Sequence, residues 1–194
     1  MSGQLGLFAP VSDVPAIEGL RLLTEYIDEA TEAALAFRID DAPAWSHEYE
    51  RRRQHYGHGY EEQAPTGRQN LGWPRWLARL AHRMANDGIF AAPPNSCLVN
   101  EYRPGQGIAL HVDRSYAGEV VTSLSLLSPC SMTLRRLATP PIEHELWLPR
   151  RSLLVMRGAA RHRWQHGIAR RKSDPTPHGR IERTRRLSLT LRLT

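Results

Sequence analysis

His111-Val112-Asp113, followed 53 residues later by His166, is the stretch on which the reading of this chain turns. Side chains alternate along an extended strand, so His111 and Asp113 share a face while Val112 packs on the other. On a helix, positions i and i+2 do not face each other, so the triplet asks for extended chain. Two imidazoles and one carboxylate form one face of a metal site. A divalent ion held this way keeps open positions, the pattern of non-haem Fe(II) oxygenases. An H-x-D triplet alone is common, and its neighbours decide whether it is a site or a surface turn.

Downstream, Arg186-Leu187-Ser188-Leu189-Thr190-Leu191-Arg192-Leu193-Thr194 alternates cleanly and reads as a half-buried strand. Leu187, Leu189, Leu191 and Leu193 fall on one face, Arg186, Ser188, Thr190 and Arg192 on the other. Two arginines on one strand face suit a dicarboxylic acid, because guanidinium pairs with carboxylate in a bidentate, charge-assisted way. Their Cα atoms lie roughly 20 Å apart at about 3.3 Å per residue, a span that long side chains can close onto a small ligand. Upstream stands Asn100-Glu101-Tyr102-Arg103-Pro104-Gly105-Gln106-Gly107-Ile108.

With these residues in register the chain resembles the AlkB family of Fe(II)- and 2-oxoglutarate-dependent dioxygenases, over about residues 50 to 194. The family pattern is N-x-Y, then H-x-D, a distal His and R-x5-R. It is matched at Asn100 and Tyr102, His111 and Asp113, His166, and Arg186 and Arg192. The resemblance implies that His111, Asp113 and His166 hold the iron. It implies that Arg186, with Tyr102, binds the distal carboxylate of 2-oxoglutarate, and that Arg192 and Asn100 serve the iron-chelating end. It also implies O2 as co-substrate and hydroxylation of a substrate C–H. On an N-methyl group that reaction ends in formaldehyde and the demethylated base.

Nine histidines occur, and His162 is the rival of His166. The family ligand matches His166, and His162 reads as a half-buried packing residue. His144 and His178 lie in polar, Pro-rich stretches and read as surface residues.

A net charge of +6 favours an anionic partner, and nucleic acid is the expected one. Arg51-Arg52-Arg53-Gln54-His55-Tyr56-Gly57-His58-Gly59-Tyr60 combines cations with aromatic rings, the usual way to hold an unstacked base. In the family this region resembles the lid over the substrate nucleotide, so residues 48–72 are the candidate recognition lid. Tyr56 and Tyr60 are the candidate stacking rings, with cross-strand packing as the alternative. Arg161, Arg163, Arg170, Arg171 and Lys172 form a second basic cluster able to contact phosphates. Some DNA-repair members of the family carry an acidic residue two places after the metal aspartate, and here that place is Ser115. The stretches around Asn100 and Arg161 resemble more closely the branch related to tRNA-modifying members. Demethylation of alkylated bases in DNA or RNA, hydroxylation of tRNA bases, and oxidation of a protein or small molecule all stay open.

At 194 residues the chain suits one domain, with ordinary hydrophobic (41%) and charged (24%) content. Cys97 and Cys130 lie in apolar stretches and read as buried free thiols, which points to a reducing, cytoplasmic setting. No apolar run reaches the roughly 18 residues of a membrane span, and Met1 to Pro10 lacks the features of a secretory signal. A monomer is expected.

Residues 1–47 are expected to form a helical extension, with Ile17 to Phe37 as one amphipathic helix built on Leu20, Leu23, Ile27, Ala30 and Ala34. A second helix is predicted over Pro74 to Asp87, with Trp76, Leu77, Leu80 and Met84 on one face and Gly88 as its stop. From Asn95 onward short apolar runs broken by Pro and Gly, among them Val120 to Met132 and Ile142 to Met156, read as strands. Helices followed by many short strands predict an α+β chain built on a double-stranded β-helix of the jelly-roll type, with the N-terminal helices packed on it. The family has that fold as well.

Overall fold

The computed structural model describes residues 14–42, 45–47, 49–58, 70–176 and 179–194. In chain order the elements are β1 (Leu20–Leu23), α1 (Glu29–Asp40), β2 (Arg53–Gly57), α2 (Arg75–Asn86), β3 (Ser96–Tyr102) and β4 (Ile108–His111). After a 3-10 turn (Ser115–Ala117) come β5 (Val120–Leu126), β6 (Cys130–Arg136), β7 (Ile142–Leu148), β8 (Leu153–Arg157) and α3 (Gly158–His162). The chain continues through β9 (Trp164–Ile168), β10 (Ser173–Thr176), β11 (Gly179–Glu182) and β12 (Arg186–Arg192). A large sheet runs β1-β8-β5-β12-β3-β2 and a small one runs β4-β9-β6-β7, and every pair in both is antiparallel. β10 and β11 form a separate hairpin. This is the jelly-roll arrangement the strand pattern predicts.

Alternation sets the two faces of the large sheet. Leu187, Leu189 and Leu191 of β12 are fully buried in one core, with Val99, Leu124, Leu126, Leu153 and Val155. The helices cover this face through Leu35 and Ile39 of α1 and Leu77, Leu80 and Met84 of α2. The opposite face turns toward the small sheet. Val121, Leu154 and Met156 meet Met132, Leu134, Leu146, Trp164 and Ile168 there in a second core. The inner positions of β3, β5 and β12 are largely polar, so the space between the sheets becomes a lined cavity rather than a packed layer.

The first predicted helix is half right. Residues 20–23 form β1, which pairs with β8. Gly19 (φ +82°) brings the chain so close that a Cβ would sit 2.0 Å from the Arg157 carbonyl. A turn through Glu25 (φ 48°) follows. The helix starts only after Asp28, whose side chain accepts the Thr31 N–H at 2.7 Å as an N-cap. It buries Glu32, Leu35, Ala36 and Ile39, while Ala30 and Ala34 are exposed. The second helix lies as predicted, with Gly88 (φ +69°) just past its end.

The candidate lid stretch, residues 48–72, contains an element of the large sheet. Residues 53–57 are β2, paired with β3 as a strand of the large sheet. Tyr60 and residues 59–69 around it lie outside the described residues. Cys97 and Cys130 are buried and free, as expected. No described helix is long and apolar enough to cross a membrane.

Candidate active site

His111 ends β4 and stands directly opposite His166 of β9, after a register shift between Ile108 and His111. The two rings lie 4.4 Å apart between centroids, tilted by 51°. Asp113 follows on the extended chain past the strand, with Oδ2 3.6 Å from His166 Nε2. One ligand atom from each of the three residues can be chosen so that all lie within 4.8 Å of one another, the one such group among the described residues.

The electrostatics prepare this group for a cation. His111 Nδ1 lies 2.9 Å from the Ala109 carbonyl, so Nδ1–H donates and Nε2 is left as the ligand nitrogen. Burial pushes His166 down to about 4, helped by His111, Arg192 and Arg161 and opposed by Asp113. It is therefore neutral at pH 7, the form that binds metal. Burial raises the Asp113 carboxyl, but Arg192 and the two histidines outweigh it and hold the group below its ordinary value. Arg192 Nη2 donates to Asp113 Oδ1 at 2.9 Å. Oδ2 is buried and accepts no hydrogen bond. A buried carboxylate oxygen left this way is costly unless a further partner satisfies it. Fe(II) fits that place, facing two imidazoles.

The far end of the cavity carries Arg186, 3% exposed. Its Nη2 donates to Ser125 Oγ at 2.7 Å, while Nε and Nη1 are buried with no hydrogen bond. The Tyr102 ring lies 5.5 Å from its Cζ. A buried guanidinium with unspent donors fits a ligand carboxylate. Between the two arginines the cavity is lined by Asn100, Tyr102, Ser123, Ser188 and Thr190, with Val121, Met132 and Met156 as its apolar walls. Arg186 and Arg192, from opposite ends of β12, thus line one cavity.

Other candidates are placed elsewhere. Tyr56 is 4% exposed, its ring edge-on to Trp76 at 5.6 Å between centroids and its hydroxyl donating to Gln54 at 2.9 Å. It belongs to the helix-covered core, because β2 turns it outward beneath α2, and a base cannot stack on it. Ser115 is exposed in the 3-10 turn beyond Asp113 and does not line the cavity. The Arg51–Arg53 run is engaged internally. Arg51 Nε donates to Asn100 Oδ1 at 3.2 Å. Arg52 pairs with Glu101 at 2.8 Å and stacks on Trp45, and Arg53 lies over Tyr49. The second basic cluster is also largely engaged. Arg161 is buried on backbone carbonyls, Arg170 pairs with Glu50, and Arg171 pairs with Asp174 and Glu145. Arg163 and Lys172 are exposed. His162 is exposed and 3.1 Å from Glu119, away from the ligands. Sequence reasoning missed Arg51 as a cavity residue. Its signal was its place two residues before Arg53, the partner of Asn100 across the β2–β3 pairing, which is visible only once the register is known.

The sequence family described as the 2OG-Fe(II) oxygenase superfamily matches residues 19–192. Protein L905 of Acanthamoeba polyphaga mimivirus is 32% identical over 179 residues, covering 91% of this chain and 85% of that protein. The alkylated DNA repair protein ALKBH8 homolog of Arabidopsis thaliana is 32% identical, covering 91% of this chain and 58% of that protein. The tRNA (carboxymethyluridine(34)-5-O)-methyltransferase ALKBH8 of Mus musculus is 33% identical over 64% of this chain, which spans only 19% of that protein. Among solved structures, that of OsALKBH1 superposes with a TM-score of 0.69 at 17% identity, covering 90% of this chain and 97% of that one, which speaks for the fold. The chain belongs to the 2OG-Fe(II) oxygenase superfamily and is an AlkB-like dioxygenase that uses Fe(II), 2-oxoglutarate and O2.

Proposed function

We propose that His111, Asp113 and His166 hold the iron, and that the enzyme oxidises modified bases of DNA or RNA. Arg186, with Tyr102, takes the distal carboxylate of 2-oxoglutarate, and Arg192 with Asn100 serves the end that meets the metal. The observation that carries this reading is the unsatisfied Asp113 Oδ2 facing two imidazoles in a cavity whose other end presents unspent Arg186 donors. Once bound, iron with 2-oxoglutarate and O2 supplies the oxidising power that places a hydroxyl on a substrate C–H, releasing succinate and CO2. The protein's own part is positional. Arg192 fixes the Asp113 carboxylate, the Ala109 carbonyl fixes the His111 ring, and the apolar walls limit water at the reacting end. On an N-methyl base the hydroxylated product loses formaldehyde.

The net charge of +6 and the similarity to relatives named for alkylated-DNA repair and tRNA methylation support a nucleic-acid substrate. Tyr60 is retained as the candidate stacking ring. A target base reaches the iron only when single-stranded or flipped. The two buried free thiols support a reducing, cytoplasmic setting, and a monomer is the working unit. The test is mass spectrometry of nucleosides after a mixed alkylated DNA and RNA pool is incubated with enzyme, Fe(II) and 2-oxoglutarate. Loss of one methylated nucleoside with matching formaldehyde is expected, and no change in any nucleoside sinks the substrate class.

One observation favours a second reading, oxidation of a protein or small molecule. The arginines at 51–53 are spent on internal contacts instead of facing a polyanion. Oligonucleotide affinity that is weak and insensitive to salt selects this reading, because phosphate binding carries a steep salt dependence.

A further inference from the structure

Arg161 is one of the largest fully buried side chains, 2% exposed. Its Nη1 donates to the Asp113 carbonyl at 2.9 Å, Nη2 to the Arg114 carbonyl at 2.6 Å and Nε to the Gly118 carbonyl at 3.3 Å. None of the three acceptors is a carboxylate. Burying a guanidinium gives up its hydration, and the three backbone hydrogen bonds offset that loss. The donors are spent on both ends of one loop. That loop begins at the metal-site aspartate and carries the exposed turn with Ser115 and Tyr116.

The other end of Arg161 is equally placed. It sits on α3, the short helix that leads into β9 and reaches His166 five residues later. The helix is anchored from outside, since the Ala160 N–H donates to the Glu18 carbonyl at 2.9 Å and the Arg157 N–H to that of Gly19 at 3.0 Å. Asp113 and His166 come from separate parts of the small-sheet layer, and one guanidinium ties the backbone of the first to the approach of the second.

We propose that Arg161 is a positioning residue that sets the Asp113 loop relative to His166 and so fixes the spacing of the metal ligands. This rests on the metal site proposed above. The role differs from that of Arg192, which touches the Asp113 carboxylate itself.

The test uses the full chain, wild type and the variants Arg161→Met and Arg161→Lys. Met fills the buried volume without charge, and Lys keeps the charge but cannot span both ends of the loop. Thermal unfolding of the metal-free proteins is measured beside Co(II) affinity, followed by its visible absorption. The expected result is an Arg161→Met protein that still unfolds cooperatively, at a temperature lowered by the loss of three hydrogen bonds, and that binds Co(II) roughly 10- to 100-fold more weakly, with an altered spectrum. Arg161→Lys is expected to recover part of the affinity. At saturating metal, the 2-oxoglutarate KM is expected to stay within about twofold, because Arg186 is untouched. A folded Arg161→Met protein with wild-type Co(II) affinity overturns the proposal. So does failure of both variants to fold, which makes Arg161 a stability element. Wild-type protein that binds no Co(II) overturns the metal reading itself, and this inference with it.

Discussion

Asp113 works through two oxygens with different partners: Oδ1 is tied to Arg192, and Oδ2 is free to meet a cation. Asp113→Asn keeps the size but replaces one oxygen by a donor, and it is expected to abolish iron-dependent 2-oxoglutarate decarboxylation. Retained CO2 release in that variant refutes the ligand assignment. Arg186→Lys is expected to raise the 2-oxoglutarate KM roughly 10- to 100-fold, the scale of about 1.5–3 kcal/mol for a charge-assisted bond, with metal affinity unchanged. At this scale the sequence was most legible where a residue type had one plausible partner. His111, Asp113 and the two arginines converge because strand alternation leaves them no other face. Tyr56 was misread because a tyrosine looks the same on paper whether it meets a base or Trp76, and only the α2 cover decides. Arg51 to Arg53 misled for a related reason, since charge shows in a sequence and the partner that spends it does not.

The elements tell a similar story. β12 was readable residue by residue, since its leucines and arginines alternate without a break. Leu189 is fully buried against the helices, and Leu189→Ala is expected to cost about 2–5 kcal/mol, read as a lower midpoint in denaturant unfolding. An unchanged midpoint contradicts the two-faced packing of this strand. α1 was harder. Leu20, Leu23 and Ile27 happen to keep helical spacing, yet the first two belong to a strand held by β8. The local signals for the break were Gly19, forced by the close Arg157 carbonyl, and Asp28, placed to cap Thr31. Asp28→Ala is expected to destabilise the protein by about 1 kcal/mol, with the 2-oxoglutarate KM unaltered. A destabilisation indistinguishable from zero in thermal unfolding removes Asp28 from that role.

Across the whole molecule, buried carboxylates tie segments together, Glu101 and Glu32 over long stretches of chain and Asp174 locally. Glu101 meets Arg52 and Arg185 at 2.8 Å each, and Glu32 of α1 accepts the Leu127 N–H at 2.7 Å and bonds Arg150. Asp174 is gripped by Arg183 and Arg171. Burial works to raise all three, but their arginines, with the Leu127 N–H for Glu32, outweigh it and hold them below ordinary values of 4.5 for the glutamates and 3.8 for the aspartate. Carboxyls depressed in the folded state add stability above those ordinary values and lose it as pH falls through the depressed ones. Urea midpoints are therefore expected to stay level from about pH 7 to 5 and to fall steeply below about pH 4.5, with a shallower fall in Glu101→Gln. A midpoint indifferent to acid discards these contacts as stabilising. The Glu101 and Glu32 pairings were illegible beforehand, because they join residues that only the tertiary fold brings together. That order also bears on how the protein comes into being. β12 follows every other described strand, yet it lies between β3 and β5 in the large sheet. A nascent chain halted at Arg185 already holds His111, Asp113 and His166, but its large sheet is split into two unconnected pieces and Arg186 and Arg192 are missing. The proposed site is thus complete only when β12 slots into the gap, which places the assembly of the oxidising pocket and the closure of the fold around it in one step.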